Sequence, residues 1–270
     1  MLNRKGNLWV PSFDGNGAAF GFSTRLGGVS ADPATAEMNL AFGREDPDGV
    51  VLSNIGIFAR ALTGGLYGAE NVVCAPQIHS ATVRYVTEAD RGSGVTDRGG
   101  AAPCDGFVTD RRGVILTVRV ADCAPILFRA EREDGGILVA AVHAGWRGTV
   151  SGIAAAAAEK LASLGAVKKS VRAAIGPHIG PCCFEVREDF RDAVAVERGR
   201  AFAERHIASR DGSLFADLTG MNTEILSEAD VSPERIEVST ECTACRPDLY
   251  HSHRRTGGKR GAMGAAAVIL

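Results

Sequence analysis

Between Val114 and Ile175 the chain spells out strand, strand, hairpin return, long helical stretch and strand, an order that leaves few ways to fold. The runs VILTVRV (114–120), PILFR (125–129) and ILVAAV (137–142) are aliphatic, rich in β-branched residues and short, as buried strands are. EREDGG, acidic and glycine-containing, reads as the hairpin connection between the second run and the third. With residues 129 and 137 paired, antiparallel register sets Cys123 opposite His143 at one end of the hairpin. A slip of one residue would turn one of the two to the other face. GWRGTVSGIAAAAAEKLASLG then reads as a crossover helix returning to VRAAI (171–175) as a parallel strand, which brings loops 144–149 and 176–182 to one sheet edge.

TVRYV (82–86) and the terminal AAAVIL add strands, and helical patterns cover about 151–164, 185–198 and 217–229. Hairpins mixed with crossovers predict α/β layers around mixed sheets, not a purely parallel doubly wound sheet. No repeat or linker divides the chain, and residues 1–270 are expected to form a single domain. The 270 residues, 45% hydrophobic with a formal net charge of −2, suit an ordinary globular protein and argue against a nucleic-acid or membrane surface. The longest apolar runs are too short to span a bilayer, and MLNRKGNLWVPSF lacks the apolar core of a secretory signal, so a cytoplasmic location is the expectation. Seven cysteines, two of them adjacent at Cys182 and Cys183, fit reduced thiols better than a disulfide framework.

His79 (QIHS), Cys123 (VADCAPI) and His143 (VHAGWRG) are the candidates for chemistry, since together they supply three ligands for one transition metal and leave a fourth position open. Cys123 and His143 alone would also make a metal-free thiolate and base pair, and a lone buried cysteine is usually inert. Gly145 and Gly148 permit tight turns, a helix N-terminus near Ser151 offers free N–H groups, and Arg147 suits a phosphate or carboxylate. FSTRLGGVS, with Arg25, and the basic HSHRRTGGKRG describe many ordinary loops and gain weight only by converging on the metal. His178, His206, His251 and His253 read as structural histidines, and the Cys242–Cys245 CxxC as turn cysteines. Asp105 and Asp122 serve either as acceptors behind the ligands or as turn caps, and Glu185 as the first-turn carboxylate of a helix.

From about residue 18 to 270 the chain resembles the laccase-domain, or YfiH-like, family, also called multicopper polyphenol oxidase-like proteins and purine nucleoside phosphorylases. The marks run in family order: GFSTRLGGVS, MNLAFG with Asn54 beyond it, QIHS, CDGFVTD, VRVADCAPILF, AVHAGWRGTVSG, AIGPHIGPCCFEV, DLTGMN, CT and the SxRR of Ser252 to Arg255. The resemblance implies a four-layer α/β/β/α sandwich and zinc at His79, Cys123 and His143. It also implies phosphorolysis of adenosine, inosine, guanosine and methylthioadenosine, together with adenosine deamination. Purine nucleosides and phosphate are then the small-molecule partners, with Arg25 and Arg147 as candidate phosphate ligands; oligomeric state is left open. The chain departs from the family at His253, where Tyr is common, and at GGKRG, where a TGR-like segment is usual.

Two other functions share the metal triad. Copper (Cu2+) oxidation of polyphenols, the laccase reading, calls for many histidines to hold several coppers, and the chain has six. A hydrolase editing peptidoglycan precursors would remove a misincorporated amino acid and need a larger site. A non-enzymatic role gives an open Cys/His centre little purpose.

Overall fold

The computed structural model describes residues 2–99 and 101–270. Two mixed six-stranded sheets form its centre. The first runs, edge to edge, Asn3–Lys5, Leu8–Val10, Ala18–Ser23, Met263–Ile269, Ile115–Val120 and Val72–Val73. The second runs Ile236–Val238, Arg172–Ile175, Ala124–Glu131, Ile137–Ala144, Gly106–Thr109 and Val83–Tyr85. A small sheet of Glu185–Val186, Ser213–Ala216 and Ile207–Arg210 lies apart.

Strand alternation explains the layering. In Met263–Ile269, Ala265, Ala267 and Ile269 face the second sheet and meet Phe20, Phe22, Leu127, Val139 and Ala141 in a shared core. Ala266 and Val268 face the other way, onto Ile55, Phe58 and Leu62 of the helix Asp48–Thr63. On the far face of the second sheet, Ile126, Phe128, Ala140 and Val142 pack beneath the helices Ile153–Ser163 and Leu218–Glu228. Each large side chain buried this way is worth about 1.5–3 kcal/mol of transfer free energy. The order helix, sheet, sheet, helices is the expected four-layer sandwich. Among the described residues no helix is long and apolar enough to cross a membrane.

The crossover is as expected: Ile137–Ala144 and Arg172–Ile175 are both antiparallel to Ala124–Glu131 between them, and so parallel to each other. The hairpin register is not. Pro125 pairs with His143 and Ala124 with Ala144, because the strands run on to Glu131 and Ile137 before turning. The turn is 132–136, closed by Arg132 N–H donating to the Gly136 carbonyl at 2.8 Å. The slip is two residues, so Cys123 and His143 keep a common face and become diagonal neighbours.

Three helix expectations need correction. The segment after Gly145 forms a short helix, Trp146–Val150, then breaks at Gly152 (φ +82°) before Ile153–Ser163. Ser151 therefore closes a turn, its N–H donating to the Arg147 carbonyl at 3.0 Å, and offers nothing to an anion. Residues 185–186 are strand, the helix begins at Glu188, and Glu185 accepts a hydrogen bond from Ser213 Oγ at 2.8 Å.

Candidate metal centre

His143 stands one residue from the end of Ile137–Ala144, on the face turned toward the first sheet. Cys123 lies in the three-residue link between Ile115–Val120 of the first sheet and Ala124–Glu131 of the second. His79 lies in a longer link between the same two sheets, from Val72–Val73 to Val83–Tyr85. The Cys123 sulfur and one ring nitrogen from each histidine come within 4.8 Å of one another, with the imidazoles edge to face at 4.8 Å between centroids.

Asp105, wholly buried, organises two of the three. Its carboxylate accepts hydrogen bonds from the backbone N–H groups of Ile78 (3.2 Å), His79 (3.0 Å) and Ser80 (2.7 Å), and from Ser80 Oγ (2.8 Å). These contacts hold His79 in the left-handed region (φ +59°). The same carboxylate lies 2.9 Å from His143 Nδ1, which directs Nε2 toward Cys123. Burial pushes the Asp105 carboxyl upward, but the hydrogen bonds from His143 and Ser80 outweigh it and leave it at about 2. Burial also opposes charge on Cys123 and His143, yet each stabilises the other: Cys123 falls to about 6 and, with help from Asp105, His143 rises to about 9. One thiolate sulfur and two imidazole nitrogens suit zinc or a similar borderline-soft divalent ion, and the pre-ionised thiol fits such a role.

Two cavities meet at the triad. One, of about 370 Å³, has an apolar wall of Trp146, Ile179, Phe184 and Leu218, with His253, Arg254 and Arg260 opposite. The other, of about 350 Å³, is lined by Phe42, Arg44, Gln77, Arg119 and Arg260. His79, Cys123 and Arg260 border both. Arg260 Nε is buried without a hydrogen-bond partner, and burial together with nearby Arg44 lowers the guanidinium pKa. A desolvated cation of this kind is completed by an anion.

Residues 19–270 match the family described as multi-copper polyphenol oxidoreductase laccase. The chain belongs to this laccase family. It is 37% identical over 253 residues to the purine nucleoside phosphorylase YlmD of Geobacillus stearothermophilus, covering 92% of this chain and 88% of that one. It is 33% identical over 201 residues to the adenosine deaminase RL5 of an unknown prokaryotic organism, covering 71% and 72% of the two chains. The crystal structure of the Bacillus licheniformis hypothetical protein YfiH superposes with a TM-score of 0.89 at 30% identity, covering 100% of this chain and 99% of that one.

In this laccase-family chain the other sequence candidates separate clearly. Arg25 lines neither cavity; its Nε donates to the Ala36 carbonyl at 2.7 Å and its Nη1 to the Pro247 carbonyl at 3.0 Å. In the glycine loop beside it backbone N–H groups are likewise taken up, Gly27 N–H donating to Glu37 and Val29 N–H to Asn54. Arg147 stacks over the Trp146 ring at 4.3 Å and lines neither cavity. His178, His206 and His251 are held by Gly176 and Thr219, by Glu224 and by Met38, whereas His253 joins a cavity wall. Asp122 ties loops together, accepting from Thr243 Oγ1 and Arg254 N–H, both at 2.6 Å. Sequence reasoning missed Arg44, Arg119 and Arg260; the basic HSHRRTGGKRG carried the only signal, and it does converge on the centre.

Gly145 seats the ligands. A Cβ there would stand 2.6 Å from His79 Cδ2 and 3.3 Å from Cys123 Sγ, while its φ of −63° suits any residue. Gly145→Ala should therefore displace the His79 ring and weaken binding of a divalent ion such as zinc by about 10- to 100-fold, with little change in the melting temperature of the metal-free chain. Competition against a chromophoric chelator measures it, and unchanged affinity would mean that the ring swings aside freely.

Proposed function

We propose that this chain, acting as one domain, is a zinc-dependent purine nucleoside phosphorylase for adenosine, inosine, guanosine and methylthioadenosine, with adenosine deamination as a second activity. The observation that carries the reading is the meeting of an apolar-walled cavity and an arginine-lined one at a three-ligand centre. Both volumes lie in the range of small-molecule sites, and the names of the relatives supply the substrate class. Trp146 and Phe184 offer flat surfaces to a purine, and Arg44, Arg119 and Arg260 offer charge to phosphate. Arg260 takes the place first expected of Arg25 and Arg147, because it lines both cavities and its Nε is buried without a partner.

In phosphorolysis a phosphate oxygen bonds to ribose C1′ as the bond to the base breaks and the departing base gains a proton. The arginines hold phosphate beside C1′ and offset its charge. In deamination water adds at C6 and ammonia leaves. Zinc at His79, Cys123 and His143 supplies Lewis acidity and lowers the pKa of water. The polyphenol oxidase reading is disfavoured by ligand supply, since among the described residues the histidines gather as a metal group only in this pair. Seven free thiols agree with a reducing, cytoplasmic setting.

Protein of known zinc content, incubated with adenosine with and without phosphate, should release adenine and ribose 1-phosphate only when phosphate is present, and inosine in both cases. No product from zinc-loaded protein would overturn the assignment. Arg260→Met should raise the KM for phosphate by about 10- to 100-fold, the loss of a charge-assisted hydrogen bond. An unchanged KM would move the phosphate site elsewhere.

A further inference from the structure

Four thiols converge away from the cavities. The strands Arg172–Ile175 and Ile236–Val238 lie side by side and parallel, so the loops after them leave the sheet together. The first loop carries Cys182 and Cys183, the second Cys242 and Cys245. The loops are stitched by Ser239 N–H to the Ile175 carbonyl (2.9 Å) and Thr243 N–H to the His178 carbonyl (3.0 Å). Cys245 Sγ lies 3.6 Å from Cys182 Sγ and 3.4 Å from Cys183 Sγ, and all four sulfurs fall within 4.8 Å of one another. A single tetrahedral ion with metal–sulfur bonds of about 2.3 Å spaces its sulfurs about 3.8 Å apart, which these separations bracket. A disulfide needs about 2.05 Å, and all four cysteines are free.

The backbone is shaped for sulfur. Each pair sits on a tight turn: Cys183 and Phe184 N–H donate to the Gly180 carbonyl, and Cys245 and Arg246 N–H to the Cys242 carbonyl. Gly180 N–H donates to Cys242 Sγ at 3.2 Å, and a Cβ on Gly180 would reach within 3.3 Å of Cys182 Sγ. A side chain at that position would press into the cluster.

We infer that Cys182, Cys183, Cys242 and Cys245 bind one structural zinc ion, distinct from the centre at His79, Cys123 and His143. Four protein ligands close the coordination shell, so the ion holds structure and performs no chemistry. Binding releases the thiol protons to solvent. It clamps two loops that shape the cavity: one contributes Ile179 and Phe184 to its wall, and the other sends Thr243 to Asp122. Arg254, a further wall residue, donates to the Cys183 carbonyl at 3.3 Å and so feels the clamp directly.

Metal analysis of the intact chain, purified under reducing conditions without chelator, tests the assignment. Wild type should hold two zinc ions per chain, Cys123→Ala one, and the double variant Cys182→Ser, Cys245→Ser one, with a lowered melting temperature. Cobalt reconstituted into Cys123→Ala should show the intense sulfur-to-metal charge-transfer bands of a tetrathiolate. Should the double variant fail to fold, the zinc count and cobalt spectrum of Cys123→Ala decide alone. Cys123→Ala without zinc, or four thiols that react with a disulfide reagent as fast before chelation as after it, would overturn the inference.

Discussion

Cys123→Ala should lose zinc from the His79 centre and lower phosphate-dependent release of adenine by about 10³-fold, since a metal contributes several kcal/mol and each 1.4 kcal/mol is tenfold. The sulfur is the one anionic donor of the three, and Cys123, like His79, borders both cavities from a link between the sheets. Its loss leaves two imidazoles, too few to retain an ion against dilution. Compared without metal, wild type and variant should be about equally stable, because Cys123 is half-buried at a rim and removing its sulfur opens no closed cavity; only the wild type should gain stability from metal added at this centre. A folded variant that keeps more than a tenth of wild-type turnover would separate the reaction from this centre.

Asp105→Asn should damage both binding and stability. The wholly buried carboxylate accepts from three backbone N–H groups and Ser80 Oγ and faces His143 Nδ1; an amide turns a donor toward some of these donors. Breaking a buried charged pair from one side costs about 3–5 kcal/mol, and loss of a ligand's carboxylate partner weakens metal binding by about 10- to 100-fold. The pH dependence has a definite sign. Folding lowers the Asp105 pKa from its ordinary 3.8 to about 2, so the ionised carboxylate favours the folded chain. That contribution, about 2 kcal/mol, is complete above the unfolded value and disappears as pH falls through about 2. In urea melts of metal-free protein, the gap between wild type and Asp105→Asn should narrow as pH falls below 4, through the window between the unfolded and folded values of the carboxyl. A gap indifferent to acid would show that the carboxylate is not ionised in the folded protein.

What could be read from the residues follows from the range over which each signal acts. The runs from 114 to 175 revealed strands and crossover because alternation and turn composition are local, and the family motifs supplied the layers. The helix Asp48–Thr63 went unread although Val51, Ile55, Phe58 and Leu62 recur at helical spacing. The hairpin register erred by two because Arg129 and Ile137 were taken as the last pair, whereas the first strand runs two residues further, to Glu131, into an acidic stretch that composition assigns to the turn. Whether a guanidinium meets a carbonyl or a cavity depends on which distant loop arrives beside it. Arg25 was the candidate for phosphate and is bound at Ala36 and Pro247, while Arg260, in a basic run that reads as an ordinary loop, borders both cavities. The four thiols were equally hidden, since Cys182 and Cys245 are brought together only by the parallel pairing of strands that precede them.

His79 and Cys123 ride on two segments that pass from one sheet to the other, and His143 belongs to the second sheet alone. Anything gripped by all three is therefore a rivet through a laminate whose facing surfaces are largely apolar. Sliding one sheet over the other must shear that rivet. A nick in the turn at 132–136 would leave His79 and Cys123 on one fragment and His143 on the other, so that the occupant of the centre would serve as the glue in their reassembly.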